Sequence, residues 1–179
     1  VNQSSRLNVS GFFTDMMNFL ENQNYLIKEK FDYQLLKPND STYKDISFKK
    51  IIFAEGMAVK ENPFFAEIPV HQNKGHHLEV QLSVPLEDDF TIKKKHFIFP
   101  LNNGNYYYGG TYDREQMHHE IDHSAVEQLE KGLSEFYAGD FEIKEVHFGF
   151  RPTVKDRRPI LGRHTLHSNF YVFNGLGAR

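Results

Sequence analysis

Two runs rich in aromatic and β-branched side chains, FTIKKKHFIFPL (90–101) and NYYYGGTYD (105–113), flank Asn102, Asn103 and Gly104. Asn-Gly takes the positive φ of a tight turn at little steric cost, so this stretch predicts a β-hairpin and commits the chain to antiparallel pairing. Just upstream, GHHLEVQLSV (75–84) sets His77, Glu79, Gln81 and Ser83 against Leu78, Val80, Leu82 and Val84. Period two predicts a strand with one face in a core. By the same alternation Tyr107 faces opposite to Tyr106 and Tyr108. Further strands are expected over 25–31, 47–56, 141–152 and 169–175, with a turn at 37–41 and a loop over 57–73 punctuated by Pro63 and Pro69.

Two segments have helical spacing instead. VSGFFTDMMNFLEN (9–22) lines up Phe12, Met16, Phe19 and Leu20 beside Phe13 and Met17, which predicts a core-facing helix capped by Asn8 or Ser10. SAVEQLEKGLSEFYAG (124–139) carries the stripe Val126, Leu129, Leu133 and Phe136. Ser124 and Glu127 match an S-x-x-E capping box, and Gly139 suits a C-terminal cap. The expected fold class is α+β, a mainly antiparallel mixed sheet with packed helices.

The 179 residues suffice for one sizeable domain. A formal net charge of −3 gives no pull toward nucleic acid or an anionic membrane. Arg157 and Arg158 beside Asp156 make a poor footprint for RNA. The absence of Cys removes disulfides, thiolate metal sites and Cys nucleophiles. No apolar run approaches the ~20 residues of a membrane span, and the N-terminus does not have the pattern of a secretory signal. The expectation is a cytoplasmic protein of which residues 1–179 are a single excised domain.

His119, Glu120 and His123 spell H-E-x-x-H, the pattern of zinc proteases. That chemistry needs both histidines on one face of a helix. A helix starting at Ser124 leaves them in the connection before it, so a polar loop is expected, with no metal.

One region is more specific. GFRPTVKDRRPILGRH (149–164) followed by NFYVFNGLGAR (169–179) resembles the C-terminal part of FAD-dependent oxidoreductases of the D-amino-acid oxidase and glycine oxidase superfamily, through Gly149, Arg151, Pro152, Asp156, Pro159, Gly162, Gly175 and Gly177. KIIFAEG, Lys74-Gly75, HFIFPLNNGNYYYGGTYD and RLNVSGFFTDMMNFL are similar to further segments of that family, in its order. The resemblance implies the family's substrate-binding domain, with 47–56 and 149–179 bordering the FAD domain, and oxidation of the C–N bond of an amino acid or related amine by hydride transfer to flavin. These enzymes begin with a strand–GxGxxG–helix that this chain lacks. FAD is therefore expected in the intact protein, whereas the chain alone is expected neither to hold it nor to turn over.

The resemblance also implies roles. Arg151 would fix a substrate carboxylate, Phe97 would form an aromatic wall without a hydroxyl, and Tyr112 would line the pocket. Ala54, Glu55 and Gly56 would lie against the FAD, with Phe31 near its adenine. Gly175, Leu176, Gly177, Ala178 and Arg179 would form a turn whose following helix points at the flavin. From the residues alone, Arg151 is equally an arginine at a strand end, solvated or paired to Asp156. Phe97 is equally sheet core, and Tyr112 surface or core. Two other functions stay open: a stand-alone ligand-binding or interaction module on the same fold, and the FAD domain of a tRNA wobble-uridine modification enzyme, which the GLGAR ending also resembles.

Overall fold

The computed structural model describes residues 6–86 and 90–178, and the chain divides into two compact units, Val1–Leu36 and Lys37–Arg179. In the first unit α1 spans Val9–Asn22, and the Asn8 side chain caps it by accepting from Gly11 N at 3.1 Å. The predicted helix is there; its predicted core face is not. None of its side chains is buried, and Phe12, Phe13 and Phe19 are all more than half exposed. Among the described residues the first unit adds only a short 3₁₀ turn at Tyr33–Leu35 and the first residue of a two-residue strand, too little to supply a second layer. Residues 25–31, expected as a strand, are irregular, and Phe31 packs edge-on against Tyr33 with ring centroids 5.3 Å apart.

A two-residue strand β1 (Leu36–Lys37) crosses the unit boundary. The predicted turn follows it, and then the hairpin of β2 (Thr42–Tyr43) and β3 (Ile46–Ser47). The strand expected over 47–56 is confined to β4 (Ile51–Phe53), and the expected loop after it begins with a 3₁₀ turn at Gly56–Glu61. The long strand β5 (His71–Leu82) starts four residues before the alternation predicted.

The main sheet has the order β6-β7-β8-β5-β9, from β6 (Ile92–Lys93), β7 (Phe97–Pro100), β8 (Tyr106–Gly109) and β9 (Phe141–Thr153). The β7–β8 hairpin turns through Asn102–Gly104 as the sequence demands, with Pro100 opposite Tyr106. One face of this sheet is closed. Leu78, Val80, Leu82, Ile98, Tyr106 and Tyr108 pack on Leu129 and Leu133 of α2 (His123–Ser134). A smaller sheet joins β10 (Ile160–Arg163), β11 (Phe170–Asn174) and β4, with β11 and β4 parallel. The arrangement is the expected α+β fold, mixed but mainly antiparallel.

The ends of α2 differ from the capping motifs. The N-cap is Asp122, whose carbonyl accepts from Ala125 N and Val126 N at 3.1 Å, so Ser124 and Glu127 lie inside the first turns. The helix stops at Ser134 with Glu135 as C-cap, well before Gly139. Gly139 serves a close approach instead: a Cβ there would sit 2.7 Å from the Tyr137 hydroxyl. That hydroxyl donates to Val84 O and accepts from Val84 N. Among the described residues no helix is long and apolar enough to cross a membrane.

Candidate substrate and flavin-facing site

The second face of the five-stranded sheet is not covered by α2. Alternation along β5 places Asn73, Gly75, His77 and Glu79 there, opposite Arg151, Gly149, His147 and Glu145 of β9. On the other side of β5, Gly109 and Tyr107 of β8 stand opposite His77 and Glu79, and Phe97 and Phe99 of β7 stand opposite those two in turn. The side chains form a ladder of rings across four strands. His147 stacks on His77 (centroids 4.7 Å), His77 on Tyr107 (4.5 Å), and Tyr107 on Phe99 (4.4 Å, planes 6° apart). Burial, reinforced by His147 and Arg151, pushes the His77 imidazole down to about 4, so it is neutral at pH 7.

Arg151 stands at one end of this face. Its Nη1 donates to Thr111 O at 3.0 Å and to Asn73 Oδ1 at 3.4 Å, and its guanidinium lies over the Tyr112 ring, 4.6 Å from the centroid. Nη2 has no partner among the described residues. Asp156 does not take this arginine; its Oδ1 accepts from Arg158 N. Two glycines make the room. A Cβ on Gly75 would fall 2.0 Å from Arg151 Nη1, and one on Gly110 would fall 3.0 Å from Nη2. Phe97 is 42% exposed and Tyr112 67% exposed, so neither is core.

The segments expected at the cofactor meet at one edge of the smaller sheet. Parallel pairing ends β4 and β11 side by side, with Phe53 opposite Val172. Their following turns are tied together: Asn174 Nδ2 donates to Gly56 O at 2.8 Å, while Asn174 Oδ1 accepts from Gly175 N at 2.8 Å. Gly56 and Gly175 have φ of +55° and +76°, conformations that side chains with a Cβ resist. Ala54 is exposed, Glu55 accepts from Asn62 Nδ2 at 2.8 Å, and Leu176 is exposed at the start of a 3₁₀ turn, Leu176–Ala178. Gly177 connects this edge to the open sheet face, since its Cβ would fall 2.7 Å from Arg151 Cβ and 2.8 Å from the backbone of Pro152. Phe31 belongs to the other unit, and Arg179 lies outside the described residues.

Residues 29–179 match the family described as FAD dependent oxidoreductase. The chain belongs to this FAD-dependent oxidoreductase family. Its fold is shared with the crystal structures of iminodiacetate oxidase from Chelativorans sp. BNC1 (TM-score 0.60, 21% identity, 74% of this chain and 38% of that one) and glycine oxidase from Geobacillus kaustophilus (0.62, 20%, 74% and 37%). L-proline dehydrogenase from P. horikoshii is similar as well (0.57, 13%, 72% and 37%). At these identities the likeness is one of fold, and the chain spans less than two fifths of each of these structures. The family's cofactor fits the edge just described. Paired turns at the ends of parallel strands, with glycines at positive φ, let backbone approach a flat ligand closely.

A charged network behind the open sheet face of this family member escaped the sequence patterns. Lys74 is fully buried on the α2 side of β5. Its Nζ lies 3.1 Å from Asp122 Oδ2, donates to Glu120 O at 2.5 Å, and sits 5.0 Å from the centroid of the Phe148 ring. Asp122 also pairs through Oδ1 with His118 Nε2 at 2.7 Å, and its N–H donates to His76 Nε2 at 3.1 Å. The connection before α2 is the polar, exposed loop expected, save that Asp122 within it is half-buried and tied to Lys74, His118 and His76. The H-E-x-x-H residues do not converge: His119 packs on Phe150, Glu120 offers its carbonyl to Lys74, and His123 opens α2. Among the described residues, Glu79, Glu145 and His147 are a group of metal-ligating types with ligand atoms within 4.8 Å of one another, and none belongs to that motif. The signal for Lys74 was its phase: it precedes the alternating run on the core face, where a charge requires a buried counter-charge.

Proposed function

We propose that this chain is the substrate-holding part of a flavoenzyme that oxidises the C–N bond of an amino acid or related amine. The observation that carries the proposal is Arg151, held on the open sheet face by Thr111 and Asn73, with Nη2 left unpartnered beside the glycine-lined edge. A planar guanidinium fixed this way suits a carboxylate, which takes charge-assisted hydrogen bonds of defined direction. Bound FAD supplies a hydride acceptor for the carbon that bears the amine. The chain's own residues bind and orient. Arg151 anchors the carboxylate, Phe97 and the ring ladder give an apolar floor that excludes water, and neutral His77 adds no competing charge. The similar structures support the substrate class: iminodiacetate, glycine and L-proline, in the names of those proteins, are all amines that carry a carboxylate. The partner is then a small molecule and neither a membrane nor a nucleic acid.

The test is anaerobic bleaching of the flavin in the FAD-loaded protein by glycine, sarcosine, D-amino acids and L-proline. At least one amino-carboxylate is expected to bleach it. Arg151→Ala is expected to weaken that substrate by about a hundredfold, the scale of a charge-assisted pair of ~3 kcal/mol. Unchanged affinity in Arg151→Ala would end the carboxylate assignment.

A further inference from the structure

The closed face of the five-stranded sheet holds two polar groups that the core does not satisfy. A cavity of about 40 Å³ lies between α2 and the β6–β7 edge, and His96, Tyr108 and Gly132 are among the residues that line it. His96 is 8% exposed and Tyr108 2%. His96 Nδ1 lies 3.2 Å from Gly110 O, and a carbonyl can only accept, so Nδ1 carries the proton. Burial holds the imidazole below the ordinary histidine range, so the ring is neutral at pH 7 and Nε2 is a bare acceptor. Nothing among the described residues donates to it. The Tyr108 hydroxyl has no hydrogen-bond partner among the described residues either. Burial, with the charge of Glu135, raises its pKa and keeps it protonated.

Gly132 marks where the two groups meet. A Cβ there would sit 2.9 Å from the Tyr108 hydroxyl and 3.9 Å from His96 Nε2, so both polar atoms border one spot. A glycine inside a helix weakens it relative to alanine, and here the missing side chain leaves the room. A bare acceptor and a hydroxyl facing one spot select a group that donates and accepts at once. A carboxylate would leave Nε2 unmet. An ammonium would bring a charge between walls formed by Ile92, Ile98 and Phe136. A hydroxyl meets both atoms without a charge.

We propose that this cavity binds the hydroxyl of a small phenol or alcohol, which donates to His96 Nε2 and accepts from the Tyr108 hydroxyl. The space admits the hydroxyl and the carbon that bears it, and the apolar body lies along Ile92 and Phe136 toward the opening. Nε2 is closed to water, so the side chains over it give way as the ligand enters. The site is on the side of the sheet opposite Arg151 and does not depend on how the open face is used.

The test follows isotope-labelled histidine by nitrogen NMR in the FAD-loaded protein, with phenol as the probe and toluene, of similar shape without a hydroxyl, as its control. In wild type, phenol is expected to move the His96 Nε2 resonance from a bare toward a hydrogen-bonded nitrogen, and toluene is expected to leave it in place. This measurement does not depend on a variant folding. Tyr108→Phe keeps the ring and is expected to weaken phenol about tenfold. Gly132→Ala fills the spot and is expected to abolish the His96 response, with thermal melts confirming that the variant is folded. A His96 signal indifferent to phenol, as in a cavity that takes water alone, would overturn the proposal. So would an equal response to toluene, equal phenol affinity in wild type and Tyr108→Phe, or a response that survives in Gly132→Ala. None of these measurements touches Arg151, so the amino-carboxylate reading stands or falls separately.

Discussion

Lys74 Nζ lies 3.1 Å from an Asp122 carboxylate oxygen, with no solvent access to the lysine side chain and almost none to the aspartate. A charge in this position is tolerated only with its partner, so Lys74→Met or Asp122→Asn alone is expected to cost about 3–5 kcal/mol in urea unfolding. The double variant is expected to recover much of that, since two neutral groups have no desolvation penalty to offset. The Asp122 side chain makes no capping bond to α2, so the loss will not show as helix fraying. A double variant as unstable as the two singles added together would show that the pair does not act as a unit.

Stability is expected to fall on acidification because of His77. Its folded pKa of about 4 lies below the ordinary 6.5, so between those values the unfolded chain takes up a proton that the folded chain refuses. The stabilisation is therefore complete above pH 6.5 and is lost as pH falls toward 4, by at most about 3 kcal/mol. Buried His76 and His96, also shifted down, act in the same direction. Urea midpoints at pH 7 and pH 5 measure the effect, and His77→Phe, which keeps a ring in the ladder, is expected to shrink the difference.

Gly75→Ala places a methyl 2.0 Å from Arg151 Nη1. The guanidinium is the flexible end of its side chain and moves before the sheet does. The expected result is a folded protein whose carboxylate affinity in the FAD-loaded form falls by about as much as in Arg151→Ala. Thermal melts check the fold and ligand titration checks the affinity. Wild-type affinity would mean that the arginine reaches its ligand from another position.

Produced by itself, the chain is expected to purify colourless and to show no flavin band after incubation with FAD. The turns after β4 and β11 present one edge to a ligand, while the GxGxxG helix start that would hold a pyrophosphate is not in this sequence. A yellow protein with unit flavin would contradict this.

Much of the main sheet was readable from local pattern. Asn-Gly fixed the β7–β8 hairpin, and alternation separated Tyr107 from Tyr106 and Tyr108. The misreadings share a cause: a local signal was outvoted by a distant partner. YLIKEKF has strand composition but no ladder to join. Ser124 matches a cap, yet Asp122 starts the helix because Lys74, His118 and His76 already hold that residue in place, and those contacts span up to 48 positions. The site divides in the same way. Arg151 stood in a recognisable motif, whereas Gly110 and Tyr107 gain their meaning only from the register that sets β8 beside β5.

The contact of Gly177 with Arg151 and Pro152 makes one mechanical piece of the turn after β11 and the strand that carries Arg151. On the function proposed above, the reach from a bound flavin to the carbon it must meet would be fixed by backbone thickness, like the offset of a die. A side chain added at Gly177 would leave both ligands bound and mis-set the gap between them.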